Sequence, residues 1–310
     1  MLILNTLAPV FLLVALGVWL QRSGFVSPGF LKEANRLTYW VGLPALLFSQ
    51  LAAALPSVHA AGALLGTVLT GTVGVIIFSY GVAALLRVPG AAMGTFVQGA
   101  FRGNLAFVGL PVIFALPDVP VAGGLTVRSA AIIAVAPAMV LYNLAGVIVL
   151  LLSQHRLGFA MVKPLVRQLL VTPPLLATVA GIAFAAMGWR LPVAVDRTLF
   201  ALGEMALPLG LLGVGGSLMT VNLEAGWRLP EISALIKTAV SPAIGWVLGR
   251  WWGLEPAALQ VAMILMACPT AIVSYTMVLA MKGDEEMASS TIVASVVCSL
   301  ATLALIVGNF

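Results

Sequence analysis

Long apolar runs dominate this chain, and short polar stretches divide them. A helix that crosses a bilayer needs roughly 20 mostly apolar residues. Runs of that kind lie near residues 3–20, 33–54, 61–86, 92–116, 126–152, 169–188, 199–219, 231–251, 257–281 and 287–308. The pattern predicts an all-α integral membrane protein with about ten transmembrane helices, each near the spanning length. The connections between runs are short, and none has room for a soluble domain. The longest, 153–168, falls at the midpoint and holds His155, Arg156, Lys163 and Arg167. No basic residue precedes the first run and Arg22 follows it, so it reads as a retained helix rather than a signal peptide.

Composition agrees with this pattern. Of the 310 residues 62% are hydrophobic and only 8% charged, with a mean hydropathy of +1.14. Soluble domains carry roughly 25% charged residues, so a globular enzyme is excluded. The net charge of +5 sits in loops rather than in a stripe, which argues for orientation in a bilayer and against nucleic acid as a partner. Loops after odd-numbered runs hold Arg22, Lys32, Arg36, Arg87, Arg156, Lys163, Arg167, Arg228 and Lys282; those after even-numbered runs hold Arg128, Arg190, Arg197 and Arg250. This bias puts the odd loops in the cytoplasm and both termini outside. Cys268 and Cys298 lie inside apolar runs and read as free thiols.

The chain repeats itself. Pro9, Pro44 and Pro111 fall in runs one, two and four; Pro173, Pro208 and Pro269 fall in runs six, seven and nine. The first spacing is identical in the two halves (9 to 44, 173 to 208), and Gly42-Leu43-Pro44-Ala45-Leu46-Leu47 matches Ala206-Leu207-Pro208-Leu209-Gly210-Leu211. Each half has an odd number of spans, so two halves in tandem have opposite orientation, an inverted repeat. The expected division is 1–152 and 169–310.

Runs four and nine carry the candidate chemistry. The first reads Phe101-Arg102-Gly103-Asn104 and then Gly109-Leu110-Pro111; the second holds Cys268, Pro269, Thr270, Ser274 and Tyr275. Proline removes a donor and clashes with the preceding turn. The expected interruption in run four is therefore at Gly109–Pro111, with the freed N–H groups of the second half-helix forming an anion site. Broken helices survive in a bilayer only where they line a protein-enclosed cavity, and a matched pair marks a transporter's substrate site. Thr270 and Ser274 either cap freed carbonyls or contact substrate. Arg102 reads either as a snorkelling side chain or as a guanidinium presented to a carboxylate. Asn104 lies closer to the expected break. Tyr142 and Asn143 in run five, and Ser49 and Gln50 past Pro44, are either interhelical glue or ligands. Glu204 is the one carboxylate clearly inside a run and is the candidate for proton coupling. Lys237 reads as a snorkelling residue near the cytoplasmic end of run eight.

Walker loops, metal-spaced His/Cys clusters and catalytic dyads at depth are missing, so no enzyme, metal or cofactor is expected. His59 and His155 fall in loops. Repeated pore-lining charges, as a channel would carry, are missing too.

The residues Leu7-Ala8-Pro9-Val10-Phe11 through Gly17, Leu43-Pro44-Ala45-Leu46-Leu47-Phe48, Phe101-Arg102-Gly103-Asn104 with Gly109-Leu110-Pro111, Tyr142-Asn143, Leu207-Pro208 with Gly216-Ser217-Leu218, Cys268-Pro269-Thr270 and Asp284-Glu285-Glu286-Met287 resemble the auxin efflux carrier family, which includes bacterial members. The likeness covers essentially the whole chain, and the motif of run four is its specific part. It implies ten helices in two inverted five-helix repeats, as in bile acid–sodium symporters. Helices within 3–54 and 169–219 would form a scaffold that often dimerises; those within 61–152 and 231–308 would form a moving transport domain. Runs four and nine would cross at Pro111 and Pro269. Family substrates are organic anions, auxin-like aromatic carboxylates in plants and malonate or malate for some bacterial relatives. The short central loop points to the bacterial type and hence to an inner membrane. The sodium-coupled relatives use an acidic residue in helix nine, and none lies between Glu255 and Asp284 here. The reading is thus a secondary carrier of a small organic anion, working by elevator-type alternating access. A sodium-coupled symporter and a non-transporting membrane sensor are the alternatives.

Overall fold

The computed structural model describes residues 2–53, 61–121, 124–154, 173–219 and 227–309. His59 and the central connection with His155, Lys163 and Arg167 lie outside the described residues. All ten apolar runs contain helix. α1 spans Leu2–Arg22; α2, Pro28–Leu37, continues through a π-helical turn, Thr38–Gly42, into α3, Leu43–Ala53. α4 spans Gly62–Leu85. The fourth run is split into α5, Gly90–Phe101, and a second piece made of a π turn, Leu105–Gly109, and α6, Leu110–Phe114. A small antiparallel pair, β1 (Pro120–Val121) and β2 (Leu125–Thr126), leads into α7, Val127–Ser153.

The second half begins with α8, Pro173–Ala186, and α9, Val193–Leu218. α10, Arg228–Leu235, runs through a π turn, Ile236–Val240, into α11, Ser241–Trp251. The ninth run is split like the fourth, into α12, Pro256–Ala267, and α13, Val273–Ala280; α14 spans Glu285–Asn309. Among the described residues, five uninterrupted helices are long and apolar enough to cross a membrane, 62–85, 127–153, 193–216, 228–251 and 285–309. The shorter apolar helices include Leu105–Phe114 and Pro256–Ala267, one piece from each interrupted run.

The helices pack in several close pairs. α1 lies against α9, and α3 lies against α8 and α9. These contacts are close because glycine stands at them. A Cβ on Gly17 would meet the Leu212 backbone, and one on Gly203 would lie 3.0 Å from Leu46 Cα. In a membrane small residues supply helix association, since lipid removes the hydrophobic drive between helices. Elsewhere α4 packs on α5, α7 and α11; α5 packs on α7; α10 and α12 pack on α14. Outward-facing large apolar side chains, among them Leu12, Ile77, Leu85, Val247 and Leu305, are what a lipid-facing surface requires.

The interruption of run four is not where the prolines suggested. It lies at Arg102–Asn104, where Arg102 turns to an extended backbone (φ −80°, ψ 91°). Pro111 is the seventh residue of the piece that starts at Leu105, and the helix continues through it to Phe114. The π turn ahead of it closes with Leu110 N–H donating to the Leu105 carbonyl, which makes room for the ring without breaking the helix.

Candidate functional site

Two broken helices in an apolar chain leave backbone donors and acceptors without partners, and lipid supplies none. Here the breaks satisfy each other. Gly103 and Thr270 form an antiparallel bridge. Asn104 N–H donates to the Pro269 carbonyl (2.8 Å), and Ala271 N–H donates to the Arg102 carbonyl (2.9 Å). Side chains complete the closure. Thr270 Oγ1 donates to the Gly99 carbonyl (2.8 Å), while Ser295 Oγ accepts from Thr270 N–H (2.9 Å). Ser233 Oγ donates to the Phe96 carbonyl (2.8 Å). Asn104 Oδ1 accepts from Phe107 N–H (3.2 Å), an N-cap on the second half-helix. Such a cap contributes about 1 kcal/mol. Asn104→Ala should therefore lower the midpoint of thermal unfolding of the solubilised protein by that equivalent.

Four half-helix ends converge on this bridge. α5 and α12 arrive with their negative C-terminal ends, and the pieces starting at Leu105 and Val273 leave with their positive ones. Two basic side chains are buried at the same place. Arg102 is 5% exposed and Lys237 is 0% exposed. Neither snorkels to an interface, which corrects the sequence reading of Lys237 and removes the snorkelling alternative for Arg102.

The Arg102 guanidinium forks between α7 and α13. Nη2 donates to Asn143 Oδ1 (2.6 Å); Nη1 donates to the Tyr142 carbonyl (3.3 Å) and to Met277 Sδ (2.7 Å). All three acceptors are neutral. Among the described residues the one ion pair is Arg36–Glu33, at the surface, so no carboxylate compensates Arg102. Tyr142 packs its ring edge-on to Phe101 (centroids 5.8 Å apart). Gly146, one turn along α7, lets the fork lie flat on that helix. A Cβ there would stand 2.8 Å from both Arg102 Nη1 and Gln98 Nε2. Nearby, Gln98 Oε1 and Ser274 Oγ are buried without a hydrogen-bond partner. One is an acceptor and the other a hydroxyl, and each has hydrogen-bonding capacity to spare.

The other expected residues divide. Cys268 caps α12, with Sγ donating to the Ile264 carbonyl (3.1 Å). Gly109 gives it room, since a Cβ there would lie 3.0 Å from Cys268 Sγ. Pro111 is buried two turns beyond the bridge, while Pro269 belongs to it. Ser49 returns its hydroxyl to Leu46 of its own helix (3.2 Å), and Gln50 is half-buried on α3. Glu204 is exposed on α9 and is not among the groups that meet Arg102 or Lys237. Sequence reasoning missed Met277 and Gly146, and it misplaced Lys237. One signal was available: Gly146 lies three residues after Asn143, hence on the same face of α7.

The geometry is that of a buried, cation-bearing meeting point of broken helices. Comparison with known proteins gives the family. The family profile described as "Membrane transport protein" matches residues 2–307. Among curated relatives, a Rhizobium meliloti protein named "Putative malonate transporter" is 27% identical over 305 residues, 95% of this chain and 92% of that protein. Auxin efflux carrier component 8 of Arabidopsis thaliana is 22% identical over 142 residues, 44% of this chain but only 39% of that carrier's length. This chain is a multi-pass membrane protein that belongs to the membrane transport protein family, the family of the auxin efflux carriers.

Proposed function

We propose that this chain is a secondary active carrier of a small organic anion, with the Arg102 guanidinium holding the substrate carboxylate. The observation that carries the reading is Arg102 itself, a buried, permanently charged fork with only neutral partners, at the point where two broken helices pair. A buried charge without compensation is costly. A carboxylate would relieve that cost with two parallel charge-assisted bonds. Thioether sulfur is a weak acceptor, so Met277 is the partner a carboxylate displaces. Gln98, Ser274 and Asn143 then line the bound anion. The whole-length likeness to a protein named for malonate favours a small dicarboxylate over an aromatic acid.

Two inverted five-helix repeats support an alternating mechanism. Exchanging the halves turns the α1–α9 contact into the α3–α8 contact, and the α5–α7 contact into the α12–α14 contact. The first group of helices, α1 to α3 with α8 and α9, is the scaffold. The second carries Arg102 and moves against it, elevator fashion. Phe107 on the moving part lies against Gly210 of the scaffold, so the sliding surface includes this contact. The carrier sits in a bacterial inner membrane with both termini outside.

Binding to the solubilised protein tests the reading without flux. Malonate and malate should raise the unfolding midpoint in a saturable way, as any ligand selective for the native state does. An uncharged diester of the same acid should not. Stabilisation by the diester, or by no organic anion, would remove the basis for a carboxylate site.

A further inference from the structure

Lys237 poses a separate question. Its side chain is fully buried, and Nζ donates to the Met266 carbonyl in the last turn of α12. No carboxylate pairs with it among the described residues. It is carried by the π turn Ile236–Val240, which interrupts the regular ladder and sets the side chain toward the bridge. A Cβ on Gly103 would lie 2.9 Å from Lys237 Cε and 3.1 Å from Nζ, so the absence of a side chain at the bridge is what admits the ammonium. The chemistry of the place is that of a cation site. The C-terminal ends of two half-helices converge there, and a backbone carbonyl faces the charge. In carriers with broken helices, unwound carbonyls and half-helix C-terminal ends are what coordinate a coupling ion.

We propose that the Lys237 ammonium is a built-in cation, standing on the Met266 carbonyl where a monovalent metal ion would otherwise bind. The helix ends are neutralised covalently, and the site needs no sodium. The proposal rests on the carrier reading only for its meaning in transport. Its measurement uses no substrate, so a protein that fails to bind anions and one that fails this test give separate results.

The test is the unfolding midpoint of the solubilised full chain, in sodium chloride and in the chloride of a large organic cation at equal ionic strength. Wild type should melt at the same temperature in both. Lys237→Ala, which opens the space, should melt several degrees lower in the organic cation and recover in sodium. Lys237→Met, which fills the space without charge, should melt lower in both. Three results would overturn the proposal: sodium-specific stabilisation of wild type, a Lys237→Ala protein indifferent to the cation, or one that folds in neither salt. The wild-type comparison stands whatever the variant does.

Discussion

Arg102→Ala should weaken binding of a small dicarboxylate by about 30-fold or more, and transport should fall with it. Truncating one partner of a buried, hydrogen-bonded charge pair typically costs about 2–5 kcal/mol, and each 1.4 kcal/mol is about tenfold in affinity. The loss should not come from unfolding. Arg102's backbone, not its side chain, makes the bridge to Ala271, and its side-chain acceptors are a carbonyl, an amide and a thioether. Removing an uncompensated buried charge should leave the thermal midpoint unchanged or raise it. Arg102→Lys should recover only part of the affinity, because an ammonium cannot present a planar fork to a carboxylate. Isothermal titration with malonate, alongside a melting curve for each variant, separates the two effects. Equal affinity for wild type and Arg102→Ala would move the anion away from this residue.

The same residue shows how far the sequence could be read. Each apolar run contains helix among its described residues, because twenty-residue hydrophobicity is a summed signal that tolerates local error. The pairing of runs four and nine also held, through the Gly103–Thr270 bridge. What failed was depth. Proline looked like the breaker, yet the π turn Leu105–Gly109 accommodates the Pro111 ring within a continuous helix. Gly103, set between two polar side chains, was the better marker, because backbone approach at a bridge demands a missing side chain. Lys237 was misjudged by counting from the loop. Arg228 opens its helix, so Lys237 is nine residues in, about 13 Å at 1.5 Å per residue. That distance is too far for a stem to reach water easily. Met277 and Gly146 have no composition that distinguishes them, since their roles arise only from the approach of α7 and α13 to one guanidinium.

Gly146→Ala should separate site from scaffold more sharply than any polar substitution. Glycine inside a helix is less favourable than alanine by about 1 kcal/mol, so the variant's fold should be as stable as wild type or more so. The added methyl, however, would stand 2.8 Å from Arg102 Nη1 and from Gln98 Nε2. Both are ends of flexible side chains and can move, which spares the fold and displaces the fork. Losing one charge-assisted bond of about 1.5–3 kcal/mol predicts binding weaker by about tenfold or more. An unchanged affinity with a normal melt would show that the fork's position on α7 does not matter. A destabilised protein would show instead that Gly146 serves helix packing.

Flux bears most directly on the central claim. Purified protein in liposomes loaded with unlabelled malonate should take up labelled malonate by exchange, saturably, with competition by other small dicarboxylates. Liposomes with Arg102→Ala, confirmed folded by its melting curve, should show only the leak of empty vesicles. Saturable exchange that persists undiminished in Arg102→Ala, or its absence from folded wild type for every organic anion supplied, would contradict the account.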